Sequence, residues 1–162
     1  MMGSRAFEGK LAFLSNFTHV PHGIHEYPTV EHFFVAMKTK DKVMRERVKV
    51  MLSPGRVKAF GRSLNIREDW MDIRLEVMEY ALRLKFKAGT RLAQQLLDIG
   101  DMPLVEYNYW HDNYWGECTC AMCDETEQRG QNNLGKLLMK IRSELIAAAQ
   151  ASPPSRDSLY ED

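Results

Sequence analysis

Apolar residues recur at helical spacing over most of the chain. Val30, Phe33, Phe34 and Met37 stand at i, i+3, i+4 and i+7, predicting an amphipathic helix to about Lys40. Pro28 biases Tyr27 away from helix, and Thr29 is a suitable N-cap. A second helix is expected over 41–52, with Met44, Val48, Met51 and Leu52 facing inward. Ser53-Pro54 opens a third to about Gly61, with Ser as cap and Pro at the first helical position. The clearest helix covers 69–87. Asp69 caps it, Trp70, Ile73, Val77, Met78, Ala81 and Leu82 form its buried stripe, and Gly89 ends it. Thr90 opens a shorter helix to Ile99, closed by Gly100. A last helix begins at Asn132 or Asn133 and runs to about Ala149, burying Leu134, Leu137, Leu138, Ile141 and Leu145.

Between these lie less regular stretches. The first thirty residues read as short extended pieces, among them the apolar, aromatic run 11–17 and a turn at His22-Gly23. Residues 104–107 suggest a strand. The segment 109–131 is irregular and dense in Trp, Tyr, His, Asp, Gly and Cys. Structureless loops of that length in a compact domain are usually functional or disordered, and the aromatic content argues against disorder. The expected fold is α+β, a mainly helical single domain over 1–150 with a few short strands. Residues 151–162 have too few apolar groups to pack and are expected to form a disordered tail.

Composition narrows the classes. A chain of 162 residues fits one domain with a proper core. Basic and acidic residues balance at 22 each, which argues against a protein held on duplex nucleic acid or an anionic membrane mainly by charge. No apolar run is long enough to span a bilayer, and MMGSRAFEGK lacks a signal peptide's hydrophobic stretch. Three cysteines cannot all pair within one chain, so a reducing, cytoplasmic setting is the simplest expectation.

Several residue groups could carry chemistry. Glu31 and Lys38 are seven positions apart, two helical turns, and so lie on one stripe about 10 Å apart along the axis. That is too far for an ordinary ion pair and suits two long side chains converging on a ligand, although each also has the bland role of a solvated helix charge. Asp112, Trp115 and Gly116 could form a stacking platform for a base, or could simply pin the loop to the core. Arg62, with Arg56 and Lys58, could bind phosphate, and the amides of 130–135 at a helix start are a weaker candidate for it. His32 is read as a hydrogen-bonded neighbour rather than a proton carrier. Cys118, Cys120 and Cys123, with His111 as a fourth ligand, could hold zinc. Their spacing departs from paired knuckles, and the sequence favours reduced thiols with no metal or cofactor.

The short motifs, taken in order, resemble the NADAR (YbiA-like) family of N-glycosidases from about Phe13 to Leu145. They are Phe13-Leu14-Ser15-Asn16-Phe17; the signature stretch 27–38; Gly61-Arg62; Asp69-Trp70 with Met78, Ala81-Leu82 and Lys85-Phe86; Leu104-Val105-Glu106; Asp112 with Tyr114-Trp115-Gly116; and Asn133-Leu134-Gly135 with Lys136 to Met139. The cysteine-bearing stretch between Gly116 and Gly130 departs from the bacterial pattern. The resemblance implies a compact α+β fold and hydrolysis of the C–N bond between ribose and a base. The implied substrate is a small ribosylated nucleotide, such as a phosphoribosylamino-pyrimidine of riboflavin synthesis, or ADP-ribosylated guanine in nucleic acid. Glu31 and Lys38 would be catalytic, and Asn16, Arg62, Asp112, Trp115, Gly116 and Asn133 would line the pocket. The competing expectations are a non-catalytic module that binds ADP-ribose or NAD, and an interaction protein organised by zinc at the cysteines.

Overall fold

The structure is a computed structural model that describes residues 7–125 and 130–151, without the side chains of 124 and 125. After a 3-10 helix at Gly9–Leu14 come helices α1 (Val30–Met37), α2 (Lys42–Val50), α3 (Pro54–Gly61), α4 (Trp70–Lys85) and α5 (Arg91–Asp98). Then follow β1 (Tyr107–Asn108), β2 (Glu117–Cys118), α6 (Ala121–Glu125) and α7 (Asn133–Ala151). The mainly helical α+β architecture expected from the residue pattern is the one observed. No helix among the described residues is long and apolar enough to cross a membrane.

α1 lies at the centre, packed against α2, α3 and α4. A one-faced amphipathic helix was expected. Instead every residue from Val30 to Ala36 is buried, Glu31 and His32 included, as befits a helix enclosed on all sides. Its start is pinned by polar groups. Thr29 Oγ1 accepts from the His32 amide at 3.2 Å and lies 2.7 Å from His32 Nδ1, while His32 Nε2 sits 2.8 Å from the Met51 carbonyl. Burial lowers the His32 pKa and keeps the ring neutral, so Nε2–H donates to Met51 and Nδ1 accepts from the threonine hydroxyl. His32 therefore ties α1 to the end of α2, as expected of a neighbour rather than a proton carrier.

α3 approaches α1 closely because Gly61 has no side chain; a Cβ there would come within 3.1 Å of Val35. The Ser53 cap and Thr90 cap form as expected. Asp69 does not cap α4, because its carboxylate accepts two hydrogen bonds from Arg67, at 2.6 and 2.8 Å. α4 stops at Lys85 rather than continuing to 87. Of its expected stripe, Trp70, Met78, Ala81 and Leu82 are buried, while Ile73 and Val77 are half-buried. Leu52, expected to face inward, is 99% exposed: the chain leaves helix at Met51, so helical periodicity no longer sets its direction.

The run 11–17 falls largely in the 3-10 helix instead of an extended piece; so short an apolar run carries no decisive period. The expected strand at 104–107 is displaced to Tyr107–Asn108, paired in parallel with Glu117–Cys118. Residues 104–106 are instead held by Asn132, whose Oδ1 accepts from the Glu106 amide at 3.1 Å while its Nδ2 donates to the Leu104 carbonyl at 2.9 Å. In the final helix Leu134, Leu137, Leu138 and Ile141 are buried as expected and Leu145 is half-buried. Ala151 belongs to that helix, and the rest of the expected tail, 152–162, lies outside the described residues.

One charged group is locked inside this packing. Lys85 is fully buried, and its Nζ donates to the Ser15 carbonyl at 2.7 Å, anchoring the N-terminal segment to α4. Burial pushes its pKa down from 10.5 to about 7. The unfolded chain therefore binds more protons between those values, and stability should rise with pH through the window. In urea unfolding from pH 7 to 9, wild type should gain on Lys85→Met by up to about 1.4 kcal/mol per pH unit. Parallel curves for the two proteins would show that the amine is not desolvated.

Candidate active site

A cleft of about 460 Å³ opens beside α1, within the size range of small-molecule sites. One wall is the N-terminal segment with Ser15, Asn16 and Phe17. The floor is α1 with Glu31, Phe34 and Lys38, joined by Met78 and Leu134. α3 contributes Lys58, and the far wall is the stretch from Glu106 to Trp110 with Asp112, Trp115 and Thr119. Both Glu31 and Lys38 thus open onto one hollow, as their two-turn spacing anticipated.

Their environments push them in opposite directions. Glu31 is 8% exposed, and its backbone amide donates to the Asn16 carbonyl at 3.1 Å. Burial raises its pKa, opposed by the positive charges of Lys58 and Lys38 and assisted by Asp112. Lys38, at the C-cap of α1, runs its amine 5.4 Å from the Phe34 ring centre and over the bare surface of Gly61. Burial lowers its pKa, the Glu31 carboxylate partly restores it, and Lys58 and Arg62 lower it further. The two groups do not form an ion pair with each other; they interact through space across the cleft.

Asp112 has two functions. Its Oδ1 accepts from the amides of Tyr114 and Trp115 at 3.2 and 2.9 Å, shaping the turn, and its charge bears on both Glu31 and Glu106. Its own position is set by Asn108, which accepts from the Asp112 amide at 3.0 Å and donates to the Asp112 carbonyl at 2.7 Å. Trp115 is held edge-on between Phe34 (5.5 Å, 87°) and Tyr114 (4.8 Å, 86°). It lines the cleft and also packs on the core, so the two readings of this residue coexist.

Three expected pocket residues do not line the cleft. Gly116 is buried behind it, where a Cβ would lie 2.0 Å from the Glu106 carbonyl; it allows the two strands to close. Asn133 donates to the Tyr114 carbonyl at 2.9 Å, at the root of α7. Arg62 is exposed at the end of α3, and its charge alone reaches Lys38. Of the basic stretch on α3, Lys58, one turn earlier, does line the cleft, standing 5.9 Å from the Phe17 ring centre and 5.2 Å from that of Trp110. On a helix Lys58 and Arg62 share a face, so the sequence named the basic group of Arg56, Lys58 and Arg62 without deciding which of them enters the cleft.

Glu106, the last residue of the Leu104-Val105-Glu106 motif, lies in the cleft. Its Oε2 is buried without a hydrogen-bond partner among the described residues, as is Asn16 Oδ1. Burial raises the Glu106 pKa to about 7, with a lesser opposing contribution from the Phe7 amide. Two buried acceptors without partners among the described residues, one on each side of the cleft, suit a ligand rich in hydroxyl or N–H groups. The motif marked the position, but a glutamate after two apolar residues carries no local signal that it faces a cleft.

Across known proteins, the NADAR domain model matches residues 6–146. A riboflavin biosynthesis protein of Vibrio vulnificus is 38% identical over 74% of this chain, which spans 31% of that longer protein. The N-glycosidase YbiA of Escherichia coli is 36% identical, covering 74% of this chain and 71% of its own. An N-glycosidase of Nostoc punctiforme is 34% identical, with 81% and 83% covered. The NMR structure of E. coli YbiA superimposes with a TM-score of 0.74 at 29% identity, covering 96% of this chain and 92% of that one.

The charge coupling across the cleft has a definite sign that lysine titration can read. With reductively methylated protein followed by NMR, the Lys38 signal should titrate below those of exposed lysines. Glu31→Gln should lower it further, because the attracting carboxylate is gone, and Lys58→Ala should raise it. A Lys38 titration unmoved by either change would mean the three groups do not share one electrostatic space.

Proposed function

The chain belongs to the NADAR family, and from that premise we propose that it hydrolyses the C–N bond joining ribose to a base in a ribosylated nucleotide. The observation that carries this reading is the pairing of a desolvated acid with a desolvated amine, Glu31 and Lys38, on the floor of one nucleotide-sized cleft. Relatives named as N-glycosidases support the bond type.

Cleaving an N-glycosidic bond leaves positive charge on the anomeric carbon and ring oxygen of the sugar. Glu31, beneath the cleft, would stabilise that charge as a carboxylate and pass protons to and from water. Lys38 with its lowered pKa holds a larger share of free amine than a solvated lysine. Its nitrogen would attack the anomeric carbon as the base departs with a proton. The ring then opens to a Schiff base, which water hydrolyses to release the sugar aldehyde and restore the amine. Glu106, carrying a proton part of the time near neutrality, suits the donor to the departing nitrogen.

Binding would fall to the walls. Trp110 and Tyr109 are exposed at the mouth, with Trp115 and Phe34 deeper, offering faces and edges for a base. Lys58 is placed for a phosphate, with Arg62 adding attraction from outside. A substrate with a phosphoribosylamino-pyrimidine fits that set, and the riboflavin biosynthesis name of one relative agrees with it. A guanine carrying ADP-ribose is the larger alternative, its second phosphate reaching Arg62.

Incubation with both substrate types, read by mass spectrometry of released base, tests the reading. Lys38→Ala and Glu31→Gln should each lower kcat by about 100-fold or more. Lys58→Ala should act mainly on KM, and borohydride should trap a sugar adduct on Lys38 in the wild type. Activity should fall as pH rises through about 7, where Glu106 loses its proton, and Glu106→Gln should remove that limb. No trapped adduct, with Lys38→Arg near the wild-type rate, would eliminate the covalent route. Tight binding of ADP-ribose with no released base, indifferent to Glu31→Gln, would make the chain a binding module.

A further inference from the structure

Behind the far wall of the cleft, His111, Cys118, Cys120 and Cys123 converge. One ligand atom from each lies within 4.8 Å of all the others, although the four residues span a turn, a strand and the start of α6. None of them lines the cleft. The sequence favoured reduced thiols because the spacing lacks paired knuckles. The fold assembles what the spacing alone did not show, since the β1–β2 pairing returns the chain so that Cys118 lies beside His111.

The distances match a tetrahedron. Zinc holds thiolate sulfur at about 2.3 Å and imidazole nitrogen at about 2.0 to 2.1 Å, so the nitrogen-to-sulfur edges of a regular site are about 3.6 Å. His111 Nδ1 lies 3.3 Å from Cys120 Sγ, 3.5 Å from Cys123 Sγ and 4.0 Å from Cys118 Sγ. These values straddle that edge, and they bring one nitrogen within 4.0 Å of all three sulfurs. None of the three cysteines is in a disulfide.

Donors surround the sulfurs as well. The His111 amide points at Cys118 Sγ at 3.3 Å, and Asn113 Nδ2 points at Cys123 Sγ at 3.3 Å. Asn113 is itself fixed, its Oδ1 accepting from the Cys118 amide at 2.8 Å. N–H groups aimed at sulfur favour the thiolate, the form that binds metal, and such outer partners orient a site's ligands. His111 takes up a left-handed backbone, φ 66°, in reaching this position.

We propose that His111, Cys118, Cys120 and Cys123 bind one structural zinc ion that staples the loop forming the outer wall of the cleft. Three thiolates and an imidazole fill a tetrahedral shell and suit zinc over harder cations. With all four positions taken by protein, the ion serves as a clamp. It ties His111 to Cys118, Cys120 and Cys123, and so steadies Asp112 between those ligands and Trp110 and Thr119 beside them, all three of which face the substrate cleft. The proposal is independent of the reaction assigned to that cleft.

Metal analysis of the protein purified with reductant and without chelator should find about one zinc per chain. Cobalt-grown protein should show intense tetrahedral ligand-field bands with a thiolate charge-transfer band. His111→Cys should keep the metal and shift that spectrum, whereas Cys120→Ser with Cys123→Ser should lose it. The native thiols should react slowly with a disulfide reagent until a chelator is added, a readout that does not depend on any variant folding. Less than about a tenth of a metal ion per chain, with all thiols reacting at once in added zinc, would overturn the site. An iron or copper ion in place of zinc would overturn the assignment of the metal.

Discussion

Enclosing α1 on every side confronts the fold with a problem of charge. A carboxylate and an amine cannot be taken from water without a large desolvation penalty unless something compensates. Here the two are not neutralised by a direct pair. Each is left with one polar outlet, the cleft, and with the other's field across it. The raised acid and the lowered amine both follow from that enclosure. Lys58 and Asp112 then adjust the balance, a cation against Lys38 and an anion against Glu31.

In the opposite wall the backbone that carries the lining side chains is fastened by small residues and amides. Asn132 grips the chain at Leu104 and Glu106, Asn108 grips Asp112, and Asp112 grips the turn carrying Trp115. Gly116 and Gly135 let neighbouring backbone pass at distances a Cβ would forbid, 2.0 Å from the Glu106 carbonyl and 2.2 Å from that of Leu104. A wall made this way can be thin and still stiff. It presents Glu106 with one oxygen unpartnered while its backbone is fully bonded. The cysteine–histidine cluster lies at the outer end of the same wall, where Asn113 continues the amide network onto Cys118 and Cys123.

How much of this was legible in the residues depends on the range of the interaction. Helices α3, α5 and α7 were placed to within about two residues, because their caps and periods are local and Ser53, Thr90 and the leucines of α7 act within a turn. The shared stripe of Glu31 and Lys38 was legible for the same reason, since helical geometry alone puts both on one face. Their catalytic reading came from the family resemblance. Asn108 and the role of Glu106 in the cleft escaped, and Lys58 was named only alongside Arg62 and Arg56, because nothing within a few residues of each says which polar group faces the cleft.

The sequence by itself determined helices α1 to α5 and α7, the caps at Thr29, Ser53 and Thr90, and the face from which acid and amine project. Those features are set by contacts between residues three or four apart, which the order of side chains encodes directly. Only the tertiary structure decided that α1 is buried all round, that Lys58 rather than Arg62 meets the cleft, and that His111 joins three cysteines around one point. Burial, pKa and ligand geometry depend on groups brought from distant parts of the chain, and no local pattern carries that information.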